Sequence, residues 1–179
     1  MLKWLIVFIL AAVAALLWRR ATASTRRLPQ PGEPAPAFDL PDQDGRNRAL
    51  EEFRGKWLVL YFYPRDDTSG CTEQAAQFRD ALIEFDRLNA MVVGVSVDDL
   101  RKHAAFRSKY RLPFSLLADV KGVTAARYGS LLDLLVVRFA KRNTFLIDPQ
   151  GRIAKTYVKV NPSRNAHDVI ADLKALVTA

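Results

Sequence analysis

The chain is nearly devoid of cysteine and histidine: Cys71 stands alone, and His103 and His167 are the only imidazoles among 179 residues. A single cysteine excludes an intramolecular disulfide framework, a Cys-x-x-Cys redox pair and any multi-cysteine zinc or iron–sulfur site. Two histidines lend no support to a histidine-built metal centre. Acid is also missing before Glu33, although Lys3, Arg19, Arg20, Arg26 and Arg27 fall in that stretch. Of the 27 basic residues, the other 22 face 19 acids, so the net charge of +8 shrinks to an excess of three from Leu28 onward. The basic excess therefore flanks an apolar run and does not form a phosphate-reading surface; no nucleic-acid partner is expected. Apolar residues make up 50% of the chain and aromatics 10%, which excludes global disorder and suffices for the core of one ordinary domain.

Trp4 to Trp18 runs for 15 residues without a polar side chain. As a helix it would measure roughly 22 Å, against a hydrocarbon core of about 30 Å. Met1, Leu2 and the snorkelling stems of Lys3, Arg19 and Arg20 bring it close to spanning, and tryptophans sit at both ends, where the bilayer interface favours them. Residues 1–20 are thus expected to form a membrane anchor, an N-terminal hydrophobic helix ahead of the folded domain. The rival is a cleaved signal peptide, since Ala21-Thr22-Ala23 offers a small-x-small site. Arg19 and Arg20 argue against cleavage, because they separate the apolar run from that site. Basic residues concentrated after the run put the following domain in the cytoplasm; cleavage would send it to the periplasm. Residues 21–37, with Pro29, Pro31, Pro34 and Pro36, read as an extended Pro-rich linker, and 38–179 as the domain.

Within that domain, Phe38 to Leu50 reads as two short strands around Asp42-Gln43-Asp44-Gly45. Trp57 to Tyr63 is a continuous β-rich apolar run, the pattern of a strand covered on both faces. A helix is expected over Thr72 to Leu88, with Phe78, Leu82, Ile83 and Phe85 on or near one face. A strand over Met91 to Val97, a polar helix over Asp98 to Tyr110, a strand over Phe114 to Ala118 and a helix over Val123 to Tyr128 follow. Thr144 to Ile147 and Arg152 to Val160 flank an Asp148-Pro149-Gln150-Gly151 turn, and Arg164 to Val177 closes the chain as an amphipathic helix. This order predicts an α/β, thioredoxin-like fold with a mixed central sheet flanked by helices. The apolar stretch Leu131 to Ala140 is expected to pack internally, with an exposed patch for dimerisation or membrane contact as the alternative. His103 and His167 are expected on exposed helical surface, and Asp66 and Asp67 to shape their turn.

The sole cysteine falls between a buried strand and a helix start, in Pro64-Arg65-Asp66-Asp67-Thr68-Ser69-Gly70-Cys71-Thr72. The first turn of a helix presents unpaired N–H groups and a partial positive charge, which stabilise a thiolate. Gly, Ser and Thr around the cysteine are unlike the apolar stripe expected of a merely buried thiol.

The block YFYPRDDTSGCT followed by EQAAQFRD resembles the peroxiredoxin Q type, also called bacterioferritin comigratory protein. Its Pro-x-x-x-Thr/Ser-x-x-Cys signature is met by Pro64, Thr68 and Cys71. GEPAPAFDLPDQDG, FRGKWLVLYFYP, VVGVSVDD, LPFSLLAD and KRNTFLIDPQGRI extend the likeness from about Pro31 to Leu176. The resemblance implies a thiol peroxidase reducing hydrogen peroxide and organic hydroperoxides. Cys71 would be the peroxidatic nucleophile that becomes a sulfenic acid, Thr68 would hydrogen-bond peroxide and thiolate, Pro64 would shield them, and Arg142 would be the active-site arginine. No cofactor and no metal are implied.

Thiolate formation alone is a small lever. Lowering a thiol from pKa 8.5 to about 6 gives roughly thirtyfold more thiolate at pH 7, while falling nucleophilicity returns roughly ten- to eighteenfold. The rate must come from stabilising the stretched O–O bond, which calls for hydrogen-bond donors and a cation. The family's resolving position, five residues after the peroxidatic cysteine, is Ala76 here. An external thiol such as thioredoxin is therefore the expected reductant, on a monomer or weak homodimer. A membrane-tethered thiol redox sensor, or interaction module, without fast turnover is the alternative from a different functional class.

Overall fold

A computed structural model describes residues 27–134 and 137–178. The anchor expected over residues 1–20 lies outside them; among the described residues, no helix is long and apolar enough to cross a membrane.

The architecture grows from strand β3 (Trp57–Phe62), whose side chains past Trp57 are all buried. Period-2 alternation sends Val59, Tyr61 and Tyr63 into one apolar cluster and Leu58, Leu60 and Phe62 into another on the opposite face. A strand apolar on both faces needs cover on both, and the chain supplies it. β3 pairs in parallel with β4 (Ala90–Ser96), which pairs in parallel with β5 (Ser115–Ala118). On its other side β3 runs antiparallel to β8 (Thr144–Ile147), and β8 to β9 (Ile153–Tyr157), giving the sheet order β5-β4-β3-β8-β9. Helices α1 (Ser69–Asp80), α2 (Leu82–Arg87), α3 (Leu100–Tyr110) and α5 (Asn165–Val177) bring Phe78, Phe85, Phe106, Val169 and Leu173 to the first face. The second face is closed by hairpin β1 (Asp39–Pro41) and β2 (Asn47–Ala49), the 3-10 turn Leu50–Phe53, and α4 (Val123–Arg127). There Phe62, Tyr128 and Phe145 meet with ring centroids 5.0–5.8 Å apart. Truncating such a fully buried aromatic to alanine costs about 3–5 kcal/mol. This is the thioredoxin-like α/β fold with a mixed central sheet.

Close approach explains one strand glycine: a Cβ on Gly94 would sit 2.7 Å from the Tyr61 ring. Tyr61 thus packs across β4 and stacks on Phe78 at 4.8 Å.

Four expectations change. The single helix over Thr72 to Leu88 is two, divided at Ala81, and Ile83 is 68% exposed. Side chains two positions apart point to opposite sides of a helix, so Ile83 cannot share the core with the larger Phe85. Residues 28–37 do not stand off as a spacer. Ala35 N–H donates to Gly151 O (2.9 Å), Ile153 N–H to Glu33 O (2.8 Å) and Thr156 Oγ1 to Pro29 O (3.0 Å), so this half of the linker lines the β9 edge. The 131–140 stretch forms a hairpin, β6 (Leu131–Leu134) with β7 (Val137–Ala140). Leu131 and Ala140 are buried at its base, whereas Leu134 and Val137 are about half exposed. Finally, His103 is completely buried, while His167 is exposed as expected.

Candidate active site

Tyr63 N–H donates to Val95 O (3.1 Å), holding the chain to the sheet just past β3 before it leaves through Pro64. The chain then turns sharply at Asp67, whose φ of 59° lies in the left-handed region. Thr68 returns to extended geometry as the N-cap of α1, and its carbonyl accepts the Thr72 N–H at 2.9 Å. Cys71 is the third residue of the helix, among the N–H groups left without intrahelical acceptors, and is 1% exposed.

Arg142 comes to it from the turn between β7 and β8. Its Nη2 donates to Cys71 Sγ at 3.3 Å, and its Nη1 donates to Gln74 Oε1 at 2.7 Å and Gly70 O at 3.3 Å. Gly70 makes room: a Cβ there would lie 3.2 Å from Arg142 Nη2. The arginine's backbone is pinned as well. Its carbonyl accepts Val160 N–H (3.1 Å), and neighbouring Asn143 accepts Lys159 N–H (3.1 Å) and donates to Ser130 Oγ (3.0 Å). Lys159, with φ of 49°, ends β9 earlier than the sequence suggests and draws the chain across this turn.

Behind the guanidinium runs a neutral buried relay. Gln74 Nε2 donates to Asn165 Oδ1 (2.8 Å), which also accepts Thr144 Oγ1 (2.7 Å). Gln74, Thr144 and Asn165 are essentially inaccessible. On the other side, an ionic network underlies the loop before Cys71. Tyr63 Oη donates to Asp66 Oδ1 (2.8 Å), His103 Nδ1 faces Asp66 Oδ2 (2.8 Å), and His103 Nε2 faces Leu117 O (3.2 Å). Asp66 N–H donates to Asp98 Oδ2 (2.8 Å), and Asp98 also receives Ser96 Oγ (3.0 Å) and Lys102 Nζ (3.1 Å). Burial, with the Asp66 charge next in size, raises Tyr61 and Tyr63 well above the ordinary tyrosine range, so both stay protonated and Tyr63 serves as the donor to Asp66.

Of the four residues singled out from the sequence, the structure brings Cys71 and Arg142 into direct contact. Thr68 caps the same helix, but its exposed hydroxyl donates to Arg65 O (3.1 Å). Pro64 sits half-buried at the strand exit. Sequence reasoning missed Gln74, Asn165 and Thr144, and it left Asp66 without a histidine neighbour. Helical spacing held usable signals: Gln74 lies four residues before buried Phe78, and His103 three before buried Phe106, each pair on one face. What the arrangement offers chemically is a shielded thiol in the first turn of a helix, with one arm of a guanidinium on its sulfur and the other arm held by Gln74 and Gly70, a combination suited to charge that shifts between sulfur and oxygen.

A buried cysteine opening a helix on a thioredoxin-like sheet, with an arginine at its sulfur, is an arrangement that fits a thiol peroxidase. Residues 31–156 match the model of the AhpC/TSA family, and the chain belongs to that family. It is 40% identical over 146 residues to the chloroplastic peroxiredoxin Q of Populus jackii, covering 81% of this chain and 68% of the relative. Among solved structures it resembles peroxidoxin BcpB of Mycobacterium tuberculosis, with TM-score 0.78, 35% identity, and 83% and 98% of the two chains covered. The bacterioferritin comigratory protein of Xanthomonas campestris, described for its alkyl peroxide reduction activity, superposes with TM-score 0.74 at 32% identity over 78% of this chain and 92% of that one. These relatives put the chain in the peroxiredoxin Q and Bcp group, whose members are thiol-dependent peroxidases.

Proposed function

We propose that Cys71 is the peroxidatic cysteine of a one-cysteine peroxidase that reduces hydrogen peroxide and alkyl hydroperoxides and is recycled by an external thiol. The observation that carries this reading is the Arg142 Nη2 hydrogen bond to the Cys71 sulfur, 3.3 Å long, at the opening of α1. In the first step the Cys71 thiolate attacks the terminal peroxide oxygen. The S–O bond forms as the O–O bond breaks, and the departing hydroxide or alkoxide takes a proton to leave as water or alcohol. Arg142 and the α1 N–H groups stabilise the charge moving onto oxygen. The Thr68 hydroxyl, at the N-cap of the same helix, would have to release the Arg65 carbonyl to donate to a bound peroxide.

The product, Cys71 sulfenic acid, has no internal partner, because Ala76 stands at the family's resolving position and no second cysteine exists. An incoming thiolate attacks the Cys71 sulfur, forming an S–S bond as the S–O bond breaks, and the departing hydroxide takes a proton to leave as water; a second thiol then releases Cys71 and carries away the disulfide. A dithiol such as reduced thioredoxin supplies both equivalents. Tethering by residues 1–20 would keep this chemistry beside membrane lipids, where alkyl hydroperoxides arise, with the domain on the cytoplasmic side.

Steady-state peroxide consumption by the full chain in detergent tests the reading. Multiple turnover with a dithiol reductant, abolished in Cys71→Ser, is the expected result. A single stoichiometric oxidation followed by arrest would favour the sensor alternative. Retention of the full chain in the membrane fraction, lost when residues 1–20 are removed, is the expected outcome for the anchor.

A further inference from the structure

The ionic network under the Cys71 loop has a geometry the reaction steps above do not use. His103 Nε2 faces the Leu117 carbonyl, which can only accept, so that nitrogen carries hydrogen. Its Nδ1 faces an Asp66 carboxyl oxygen at 2.8 Å, so a further proton is held between those two atoms. The second Asp66 oxygen accepts the Tyr63 hydroxyl at 2.8 Å, and its backbone N–H is bound by Asp98. Asp66 is thereby gripped at three points, from the residue just past β3, the β4–α3 connection and α3. The next residue, Asp67, takes the left-handed conformation that turns the chain toward α1, and Lys109 Nζ holds its carboxylate from outside at 2.8 Å. Thr68 and the first turn of α1 follow directly. Local strain of this kind persists only where surrounding contacts over-determine it.

We propose that Asp66, clamped by His103 and Tyr63, is a positioning residue for the peroxide step: it fixes the left-handed turn at Asp67 and, through it, the placement of Thr68 and Cys71 opposite Arg142. The proposal rests on Cys71 being the peroxide-reactive thiol. It acts through geometry, which leads to a specific expectation. An asparagine at 66 can accept from Tyr63 through its oxygen and donate from its amide to the Nδ1 of a neutral His103, keeping both hydrogen bonds without the charge. An alanine keeps neither. A misplacement of about 1 Å at a reacting group costs on the order of a hundredfold in rate.

The test is stopped-flow measurement, on the full chain in detergent, of Cys71 oxidation by hydrogen peroxide and, separately, of reduction of the preformed sulfenic acid by dithiothreitol. Asp66→Ala is expected to slow the peroxide step by about ten- to a hundredfold and leave the thiol step equal or faster. Asp66→Asn is expected to recover most of that loss, with the His103 Nδ1 resonance changing from a protonated to an unprotonated nitrogen. Tyr63→Phe, which removes one bond and no charge, is expected to slow the peroxide step by a few-fold, and it provides the test if Asp66→Ala fails to fold. Asp66→Asn reacting as slowly as Asp66→Ala, or both steps falling together in Asp66→Ala and Tyr63→Phe, would overturn the clamp. Absence of peroxide reactivity at Cys71 in the unaltered protein would instead overturn the reading on which it rests.

Discussion

Two buried polar networks flank Cys71, and they differ in kind. On the side before the cysteine, Asp66 faces His103 and is held by Asp98, which pairs with Lys102, an ionic cluster that grips a loop. On the side after it, Gln74, Asn165 and Thr144 form a neutral chain that ends on Arg142. The first fixes where the nucleophile begins; the second fixes where the cation points. Breaking a buried ionic pair leaves an uncompensated charge, whereas breaking a neutral chain leaves only an unsatisfied dipole. The ionic side should therefore dominate stability, and the neutral side should show itself mainly in the chemistry.

Substitutions on the two sides separate the networks by stability and by rate. His103→Leu strands the Asp66 carboxylate in the interior with Tyr63, and a destabilisation of about 3–5 kcal/mol is expected by urea unfolding. Arg142→Met leaves the buried Gln74 Oε1 without its donor and should cost about 1–3 kcal/mol by urea unfolding, less than His103→Leu, while slowing Cys71 oxidation by about 10²–10³-fold in stopped-flow kinetics, as loss of an oxyanion donor does. Arg142→Lys keeps the charge but not the fork, since one ammonium cannot serve both sulfur and Gln74 in the same plane; it should recover only part of that rate. Gln74→Leu should cost about 1–3 kcal/mol and slow oxidation by roughly tenfold, by freeing the guanidinium. A Gln74→Leu unfolding penalty as large as that of His103→Leu would erase the distinction between the networks. Thr144→Val, at the far end of the relay, removes one hydrogen bond and should cost about 1 kcal/mol, a melting shift of about 2–4 °C with little change in rate.

The features legible in the sequence were the local ones. β3 announces itself as an unbroken apolar run, and Cys71 declares its setting through the Pro64, Thr68 and Gly70 that precede it within a few positions. The His103 environment is not local: its ring partners, Asp66 and the Leu117 carbonyl, lie 37 and 14 residues away, and only the folded sheet brings them together. A histidine between Lys102 and Ala104 in a charged helix therefore reads as surface. The β6–β7 hairpin escaped for a different reason: LLDLLVVRFA contains no glycine, proline or asparagine to mark a turn. The division at Ala81 is equally silent, since alanine is a good helix former and nothing in the composition interrupts the pattern. Arg142 was found through resemblance alone. Its spacing from Cys71 carries no information until β8 is laid beside β3.

The role of Cys71 and Arg142 is tested by the intact mass of the full chain after one equivalent of hydrogen peroxide, with a sulfenic acid trap present and Cys71→Ser and Arg142→Met alongside. One trap adduct forming within seconds, absent in Cys71→Ser and markedly slowed in Arg142→Met, is the predicted result. A Cys71 thiol unmodified after minutes, or an adduct that forms equally fast without the arginine, would contradict it.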